Sequence, residues 1–558
     1  MKKMKLGMLF VGAFFVSATV KAQTINDGKT LLYYEKNKSA KAVFDKLIAA
    51  NPNDVDAVYW EGQTLIGPDD HTAKDVADAK ALYQKTLMAN SNSPLLLAGM
   101  GHINLLEGKV QDAKSQFETA ISLSKAASVP VLNAVGYANV NAKDGDAAYA
   151  VDKLKLAVAT KKMNDPDVYV NLGDAYKKLG DGGNAQLSYE AALALNPKYA
   201  RASYRIGKIY QTQGVTQEEI YMRYFNDAIA KDAAYGPVYE NLYNLYYLTD
   251  VPKSAQYLAK YLANTDDNPR NCYLTASIIY AQALYADAIK KADECIGTNP
   301  KPYAKLYGIK AYAYNKLGDS LNAKSSFDKY FQSADTALIG MGDYSTYATV
   351  LLKFPGNDSL AGTYVEKAVA LDSVEINKVA YLKSMASNYE TKKKYKEAAD
   401  WYNKVLLVKK SPGKVDMYNT GYNYYRSGTT QAAIDVFTAY GQKFPDDAFG
   451  FYMSGKTKTM IDTLMDKGLA NADFEKAISV GIVDSLKYKP QLIGSYKYFV
   501  AYYANIKKDN ATAIAYCDKI LSLDPTDAEA IRYKDILSKP AAPRRPAAAT
   551  KPANKATK

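Results

Sequence analysis

The chain has 558 residues and a formal net charge of +13 at pH 7, which at first suggests a nucleic-acid binder. The excess charge lies at the two ends. Residues 1–22 carry four lysines and no acid, and residues 539–558 carry six basic side chains and no acid, which leaves only +3 for residues 23–538. This nearly neutral body argues against nucleic-acid binding, and the length points to several domains or one elongated array.

The chain begins with the pattern of a secretory signal peptide. Three lysines precede an apolar run from Leu6 to Phe15, and small residues follow up to Ala22. This order predicts a signal peptide over residues 1–22, cleaved after Ala22. The alternative is an uncleaved membrane anchor, for which the apolar run is short. We therefore expect an exported protein without an integral membrane segment after cleavage. A periplasmic location is the first expectation, and an outer-membrane-associated or secreted protein is the alternative.

A similar string of residues returns along the chain. Residues 166–199 read "PDVYVNLGDAYKKLGDGGNAQLSYEAALALNPKY", and "YGIKAYAYNKLGDSLNAKSSFDKY" and "YNTGYNYYRSGTTQAAIDVFTAY" follow later. Counted from Pro166, large side chains fall at positions 4, 7, 11 and 24, small ones at 8, 20 and 27, and a proline at 32. The same register can be started at Pro94, Ala304 and Lys414.

This spacing predicts a pair of antiparallel helices. Gly or Ala is needed at positions 8, 20 and 27, where the two helices approach closely, and large side chains fill the space beside them. A glycine at position 15 ends the first helix, and the proline at position 32 stops the second. One such pair cannot bury its apolar face alone, so neighbouring pairs must stack. The position-15 glycines are Gly108, Gly180, Gly214, Gly318 and Gly428.

The pattern resembles the tetratricopeptide repeat, as found in exported bacterial proteins of that family. The resemblance implies an all-α fold, a right-handed superhelical solenoid of about fourteen helix-turn-helix repeats. We expect an N-terminal array over residues 23–268 and a C-terminal array over residues 269–538, which ends in a capping helix. The remaining residues 539–558, rich in Pro, Ala and Lys, have no apolar periodicity and are expected to be a disordered basic tail.

The sequence carries no pattern of an enzyme site. Its only histidines, His71 and His102, lie in separate repeats, and we expect His102 in the groove or at the surface. No nucleophile elbow, HExxH or CxxC motif occurs, and the acidic residues are scattered at helical spacing. We therefore expect no catalytic activity, cofactor or metal.

Cys272 and Cys295 fall near positions 4 and 27 of one repeat, at the same end of the predicted helix pair. A disulfide is geometrically feasible there, and an exported protein would permit it. Two small buried apolar residues are an equally good interpretation. The third cysteine, Cys517, stands at a core position.

Tyrosine is unusually frequent, with 49 residues, and many of them occupy core positions. In the family that the repeat resembles, positions 2, 5, 9 and 12 of the first helix line a concave surface that binds peptides or partner helices. Tyrosine suits recognition because it offers a large contact area and a hydroxyl group at little entropic cost. The alternative is that these tyrosines only serve helix packing. The positions implied by the resemblance are Tyr137, Arg201, Tyr204, Lys208, Asn244, Tyr247, Tyr273, Tyr280, Tyr312, Tyr418, Tyr422, Tyr425 and Tyr452.

Asp followed by Ser or Thr and then an apolar residue occurs six times, where average composition predicts about one or two occurrences. The motif is similar to the O-glycosylation acceptor of some exported Gram-negative proteins, and we expect all six acceptors in loops. The alternative is helix capping by Asp and Ser/Thr. The candidate acceptors are Ser320, Thr336, Ser359, Ser373, Thr463 and Ser485.

These observations favour a non-enzymatic scaffold or adaptor of the cell envelope that binds a protein segment in a tyrosine-rich concave groove. The first alternative is an exported carbohydrate-binding protein that uses the groove tyrosines, and the second is an enzyme with a site assembled across the groove. The sequence names neither the partner nor the oligomeric state.

Overall fold

The computed structural model describes residues 23–67, 71–124, 128–299 and 301–539. The predicted signal peptide, and the predicted tail except Lys539, lie outside these residues. Within them the regular structure consists of α-helices and a few short 3-10 or π segments, and no strand occurs. The expectation of an all-α repeat fold is confirmed.

The described residues contain 29 α-helices, which are fourteen consecutive pairs and a final helix. The pairs are α1 (Ile25–Tyr33) and α2 (Asn37–Ala50), α3 (Val55–Ile66) and α4 (Ala73–Ala89), α5 (Pro94–Leu106) and α6 (Val110–Leu123), α7 (Val129–Asn141) and α8 (Ala147–Val158), α9 (Pro166–Lys178) and α10 (Gly182–Leu195), α11 (Ala200–Thr212) and α12 (Glu218–Lys231), α13 (Gly236–Tyr246) and α14 (Val251–Asn264), α15 (Pro269–Ala281) and α16 (Tyr285–Thr298), α17 (Lys305–Lys316) and α18 (Ser320–Ser333), α19 (Met341–Leu351) and α20 (Asp358–Leu371), α21 (Glu375–Thr391) and α22 (Tyr395–Val408), α23 (Lys414–Ser427) and α24 (Thr430–Lys443), α25 (Ala448–Lys458) and α26 (Asn471–Gly481), and α27 (Lys489–Tyr502) and α28 (Asn510–Leu523), followed by α29 (Ala528–Ser538).

Small residues at position 8 let the helices of a pair touch, as the repeat pattern predicts. A Cβ atom on Gly173 of α9 would lie 2.3 Å from Cε1 of Tyr189 on α10. A Cβ atom on Gly421 of α23 would lie 2.7 Å from Cε1 of Phe437 on α24. Both rings are buried. The aromatic residue at position 24 therefore fills the space that the missing side chain leaves.

The turn between the two helices of a pair needs one residue in the left-handed region. The five glycines predicted at position 15 all take positive φ values, between 74° and 99°. Glu35, Ala283 and Lys393 take φ values of 58°, 61° and 58° at the equivalent turn of their own repeats. The geometry of the pair thus dictates this conformation, and glycine adopts it at the lowest cost.

The chain divides into two compact units, of which the first ends at Ile309 and the second begins at Lys310, within α17. In unit 1 the largest apolar cluster runs from Val58 to Ala175 and is built from consecutive helix pairs. In unit 2 smaller clusters join α22 to α25 and α25 to α29. The predicted division into arrays at residues 268 and 269 stays a prediction.

Candidate functional site

Three of the predicted groove residues form a continuous row on α23. Tyr418 and Tyr422 stack with a centroid distance of 5.3 Å and an interplanar angle of 12°. Tyr422 and Tyr425 stack at 6.1 Å and 21°. The spacing of four and then three residues places all three rings on one face of the helix. Tyr418 is 38% exposed, and the other two are partly exposed. We call these three residues the tyrosine row.

Aromatic and basic side chains of neighbouring helices flank the tyrosine row. Phe449, at the start of α25, lies 5.3 Å from Tyr418 between ring centroids. The Lys456 ammonium of α25 lies 5.5 Å from the Tyr425 ring and 5.9 Å from the Tyr452 ring. The row and these neighbours form one surface, to which α23 and α25 both contribute.

A second cation lies beside the tyrosine row, near Tyr422. The Arg426 guanidinium lies 3.8 Å from the Tyr395 ring centroid and 5.8 Å from that of Tyr422, and it donates a hydrogen bond to the Tyr395 hydroxyl. The flat guanidinium is suited to such stacking on aromatic faces. Arg426 and Tyr395 were not among the predicted site residues, because Arg426 lies outside the positions that define the concave face and Tyr395 begins the second helix of a pair.

A buried ion cluster fixes the N-terminal end of α23. The carboxylate of Asp416, which is 3% exposed, accepts hydrogen bonds from Lys383 Nζ and Lys409 Nζ at 2.7 Å each and from the backbone N–H of Gly413 at 3.0 Å. Burial by itself would raise the pKa of Asp416, but these donors outweigh it and lower the pKa to about 2. The helix that carries the tyrosine row is therefore anchored to α21 and to the end of α22.

The hydroxyl groups of the row differ from those of core tyrosines in the same repeats. The Tyr424 hydroxyl donates to Asp400 at 3.0 Å, and the Tyr402 hydroxyl donates to Glu390 at 3.1 Å. Among the described residues, the hydroxyls of the tyrosine row make no hydrogen bond. Three aligned phenols therefore remain able to donate to, and accept from, a bound molecule.

The predicted residues of α11 in unit 1 are held by other helices. Arg201 Nη1 lies 2.9 Å from Asp167 Oδ1. Lys208 Nζ donates to Asn241 Oδ1 at 2.8 Å, and burial, followed by the charges of neighbouring cations, lowers its pKa. Tyr204 packs against Tyr235, with 5.8 Å between ring centroids. These residues lie in one region, but each of them already makes a contact with another residue of the protein.

Two predicted residues at the end of α13 and its following turn have different environments. Asn244 is exposed, and Tyr247 is partly exposed. The Tyr247 hydroxyl lies 2.6 Å from Ser277 Oγ and donates to the Ser277 carbonyl oxygen at 3.0 Å. Tyr247 therefore links α13 to α15, whereas Asn244 is open to solvent.

Two predicted tyrosines of α15 pack against other tyrosines. Tyr273 lies 5.3 Å from Tyr303, and Tyr280 lies 5.3 Å from Tyr285, each between ring centroids. All four rings are partly buried. They belong to the interfaces between helices as much as to the surface.

The remaining predicted tyrosines lie in α7, α17 and α25. Tyr137 makes an edge contact with His102 at 5.9 Å. The Tyr312 hydroxyl donates to Asp343 Oδ1 at 2.7 Å. Tyr452 lies 6.0 Å from Phe474 between ring centroids, beside the tyrosine row. The structure thus brings Tyr452 together with Tyr418, Tyr422 and Tyr425, and distributes the others along the repeats.

His102 is buried, with only 2% of its surface exposed, so the expectation of a groove or surface position is wrong. It follows Gly101 in α5, and its Nδ1 atom has no hydrogen-bond partner among the described residues. Burial, followed by the charge of His71, lowers its pKa to about 3, so the imidazole is neutral at pH 7.

The structure joins Cys272 of α15 to Cys295 of α16 in a disulfide, with 5.9 Å between the Cα atoms. This separation lies within the usual range for such bonds. Cys517 in α28 is a buried free thiol, and burial raises its pKa.

The aspartates of the Asp-Ser/Thr motifs have structural partners. Five of the six motif aspartates accept a hydrogen bond from the backbone N–H of a residue that follows them. They are Asp319, Asp335, Asp372, Asp462 and Asp484.

The expectation that every acceptor lies in a loop is wrong for Ser320 and Ser359, since both lie in the first turn of a helix. Glycosylation itself stays a prediction, and an intact mass equal to that of the unmodified mature chain would contradict it. Thr336, Ser359, Ser373 and Thr463 are exposed, and Ser320 and Ser485 are partly exposed.

Neither a metal centre nor a membrane span is found in the part of the chain that the structure describes. None of its helices combines the length and apolarity needed to cross a membrane. No group of three or more His, Cys, Asp or Glu side chains there is arranged to hold a metal ion.

The stacked helix pairs define an all-α helical-repeat protein. A family model described as tetratricopeptide repeat matches residues 166–199 and 304–335. The chain therefore contains tetratricopeptide repeats, a kind of repeat that generally forms scaffolds for protein–protein interaction.

Several solved structures are similar to the chain. The C-terminal part of a TPR repeat-containing protein from Cytophaga hutchinsonii is 25% identical, and the match covers 46% of this chain and 98% of that one with a TM-score of 0.31. A tetratricopeptide repeat protein from Parabacteroides merdae is 16% identical, over 52% of this chain and 98% of that one, with a TM-score of 0.31. Yeast Tom70 is 14% identical, over 73% and 95%, with a TM-score of 0.36. A search among curated proteins finds no significant match.

Proposed function

We propose that the protein is an exported, non-enzymatic scaffold of the bacterial cell envelope that binds a segment of a partner protein along the tyrosine row. The observation that supports this most strongly is the state of the row: three stacked, partly exposed rings whose hydroxyls bond to no described residue. The tetratricopeptide repeat as a class supports a protein partner. The lysines and the following apolar run within residues 1–22 have the order of a signal peptide and support export.

The geometry of the row favours a peptide as the ligand. Tyr418 and Tyr425 are seven residues apart, so the row extends about 10 Å along the helix. An extended segment covers that distance with about three residues. Each of those residues has a backbone N–H and a carbonyl, and the three phenol hydroxyls can pair with them.

The carbohydrate alternative receives less support from the same rings. Stacking on a sugar requires a free aromatic face. Tyr422 has Tyr418 one turn before it and Tyr425 one turn after it, both nearly parallel to its ring. The row therefore presents ring edges and hydroxyls, which suit hydrogen bonding better than stacking.

The cations beside the row indicate the charge of the partner segment. Two cations, Arg426 and Lys456, lie beside the tyrosine row. The negative charge of Glu390 is already paired, because its carboxylate accepts a hydrogen bond from the Tyr402 hydroxyl. A partner segment with an acidic residue next to its contact residues would pair with one of these cations. We therefore propose a neutral to acidic segment.

The test is affinity capture from the native envelope with three full-length proteins. These are the wild type, the triple variant Tyr418→Ala/Tyr422→Ala/Tyr425→Ala, and the triple variant with Phe at the same positions. The proposal predicts that the wild type retains a defined partner, that the Ala variant loses it, and that the Phe variant binds it about 100-fold more weakly because three hydroxyl hydrogen bonds of about 1 kcal/mol each are lost.

A matched control is Leu407→Ala, which truncates an exposed apolar side chain of the neighbouring α22. This variant is expected to bind like the wild type. Equal loss of binding in the control and in the Ala variant, with both proteins folded by circular dichroism, contradicts a site at the tyrosine row.

A further inference from the structure

The turn between α1 and α2 contacts helices that follow it by about two hundred residues in unit 1. The ring of Tyr33 lies 5.1 Å from Tyr199 and 5.2 Å from Tyr235 between centroids. The Tyr34 hydroxyl donates to Asp232 Oδ2 at 2.9 Å, although 198 residues separate them. Repeats that only stack on their neighbours would not make such contacts.

A second set of contacts holds the start of α2. The Ser39 backbone N–H donates to Asp266 Oδ2 at 2.9 Å, and the Ser39 hydroxyl donates to the other oxygen of the same carboxylate. Lys38 Nζ donates to the backbone oxygen of Asp267 at 3.4 Å. The turn Tyr33–Ser39 therefore reaches the starts of α11 and α13 and the loop before α15.

The receiving surface has backbone groups that its own residues do not cap. The residues before α11 and α13, Tyr199 and Tyr235, provide no side-chain cap to their helices. The ring of Tyr33 instead packs against both of these residues. A side chain from the beginning of unit 1 thus lies against the starts of two later helices.

The attachment is made by two partly buried tyrosine rings and by two polar side chains. The helix faces of α1 and α2 pack on each other and on α3, as in any neighbouring repeat. Toward α11, α13 and α15 the turn uses two phenols, one serine and one lysine. Tyr33 and Tyr34 pack against the apolar clusters of these later repeats, but each helix keeps its larger interface with its own partner helix, so the contact can break while every helix stays folded.

We propose that the surface formed by Tyr199, Tyr235, Asp232 and Asp266 is a docking site for the Tyr33–Ser39 turn, which acts as a releasable latch over the start of α11. The closed latch lies over Arg201, which is one of the residues expected in the concave groove. A partner that uses this part of the groove has to displace the turn. The latch is independent of the tyrosine row, because all its residues belong to unit 1.

Hydrogen exchange of the full-length protein, read by mass spectrometry, tests the latch through Asp266→Ala. Among the described residues, the Asp266 side chain hydrogen-bonds only to Ser39, and the substitution changes no residue of α1 or α2. The expected result is exchange at least about tenfold faster in residues 25–50, more than two hundred residues away, because two hydrogen bonds to a carboxylate are lost.

Asp267→Ala is the matched control, because this exposed neighbour engages the turn only through its backbone oxygen. It is expected to leave exchange in residues 25–50 unchanged. Tyr33→Ala provides the reciprocal test and is expected to speed exchange at the start of α11. Equal exchange of residues 25–50 in the two aspartate variants, or no change at α11 in Tyr33→Ala, would overturn the proposal.

Discussion

Opening the Cys272–Cys295 bond is expected to loosen one helix pair while the neighbouring pairs remain folded. The bond connects α15 to α16 across 23 residues. In the chain-entropy description, a cross-link that closes a loop of this length stabilises the folded state by about 3.4 kcal/mol at 25 °C. Since each 1.4 kcal/mol is a factor of ten, amide protection within α15 and α16 is expected to fall by up to about 300-fold.

The assay is hydrogen exchange of residues 269–298 in the full chain, with and without a phosphine reductant. The variant Cys272→Ala/Cys295→Ala should exchange like the reduced wild type and should not respond to the reductant. Residues 510–523 around the free thiol of Cys517 serve as the internal control. Three free thiols in the denatured, unreduced protein, or a reductant without effect on residues 269–298, would refute the reasoning.

Three further changes are expected to alter stability. Gly173→Ala places a Cβ atom 2.3 Å from the Tyr189 ring and should cost about 1–3 kcal/mol in urea unfolding, whereas Gly183→Ala, with its nearest atom at 3.7 Å, should not destabilise the protein. The carboxyl pKa of Asp416, about 2, is below its unfolded value, so its stabilisation, about 2 kcal/mol, is present above pH 4 and is lost as the pH falls toward 2. Asp416→Asn should remove that part of the pH dependence, and an unchanged acid transition would contradict the ion cluster. The pKa of His102, about 3, is also below its unfolded value, so between pH 6.5 and 3 only the unfolded chain gains the proton. Stability should therefore fall by about 1.4 kcal/mol per pH unit on acidification, and His102→Gln should flatten this slope; equal slopes would contradict a buried neutral imidazole.

The repeat register predicted the helix pairs because the spacing of its small and large residues follows from the close packing of two helices. Position 8 must be small where the helices touch, as Gly173 shows, and position 24 must be large, as Tyr189 shows. The left-handed turns could be predicted only where glycine marks them. Ala283 and Lys393 adopt the same conformation without that signal, because the stacking of the pair imposes it on whichever residue is present.

The tyrosine row was also predictable, since position 5, 9 and 12 residues of one repeat share a helix face. Phe449 and Lys456 were not among the expected residues, although they occupy positions 2 and 9 of the next repeat and the same register predicts them. The contact of Arg426 with Tyr395 could not be predicted, because it depends on side-chain directions between helices.

The latch contacts lay beyond any sequence argument. A repeat pattern specifies which neighbours stack, but it does not specify which distant repeats meet when many of them follow one another. Tyr33 and Tyr235 belong to different repeats and carry no shared motif. Their contact is visible only in three dimensions.

The central claim is that a partner segment lies along the tyrosine row, and site-specific photo-crosslinking in the native envelope tests it most directly. A benzophenone side chain is placed at position 422 in one protein and at the exposed position 407 of α22 in another. The account predicts that position 422 crosslinks to one defined partner segment and that position 407 does not. Crosslinks to the same partner from position 407 alone, or equally from both positions, would contradict it.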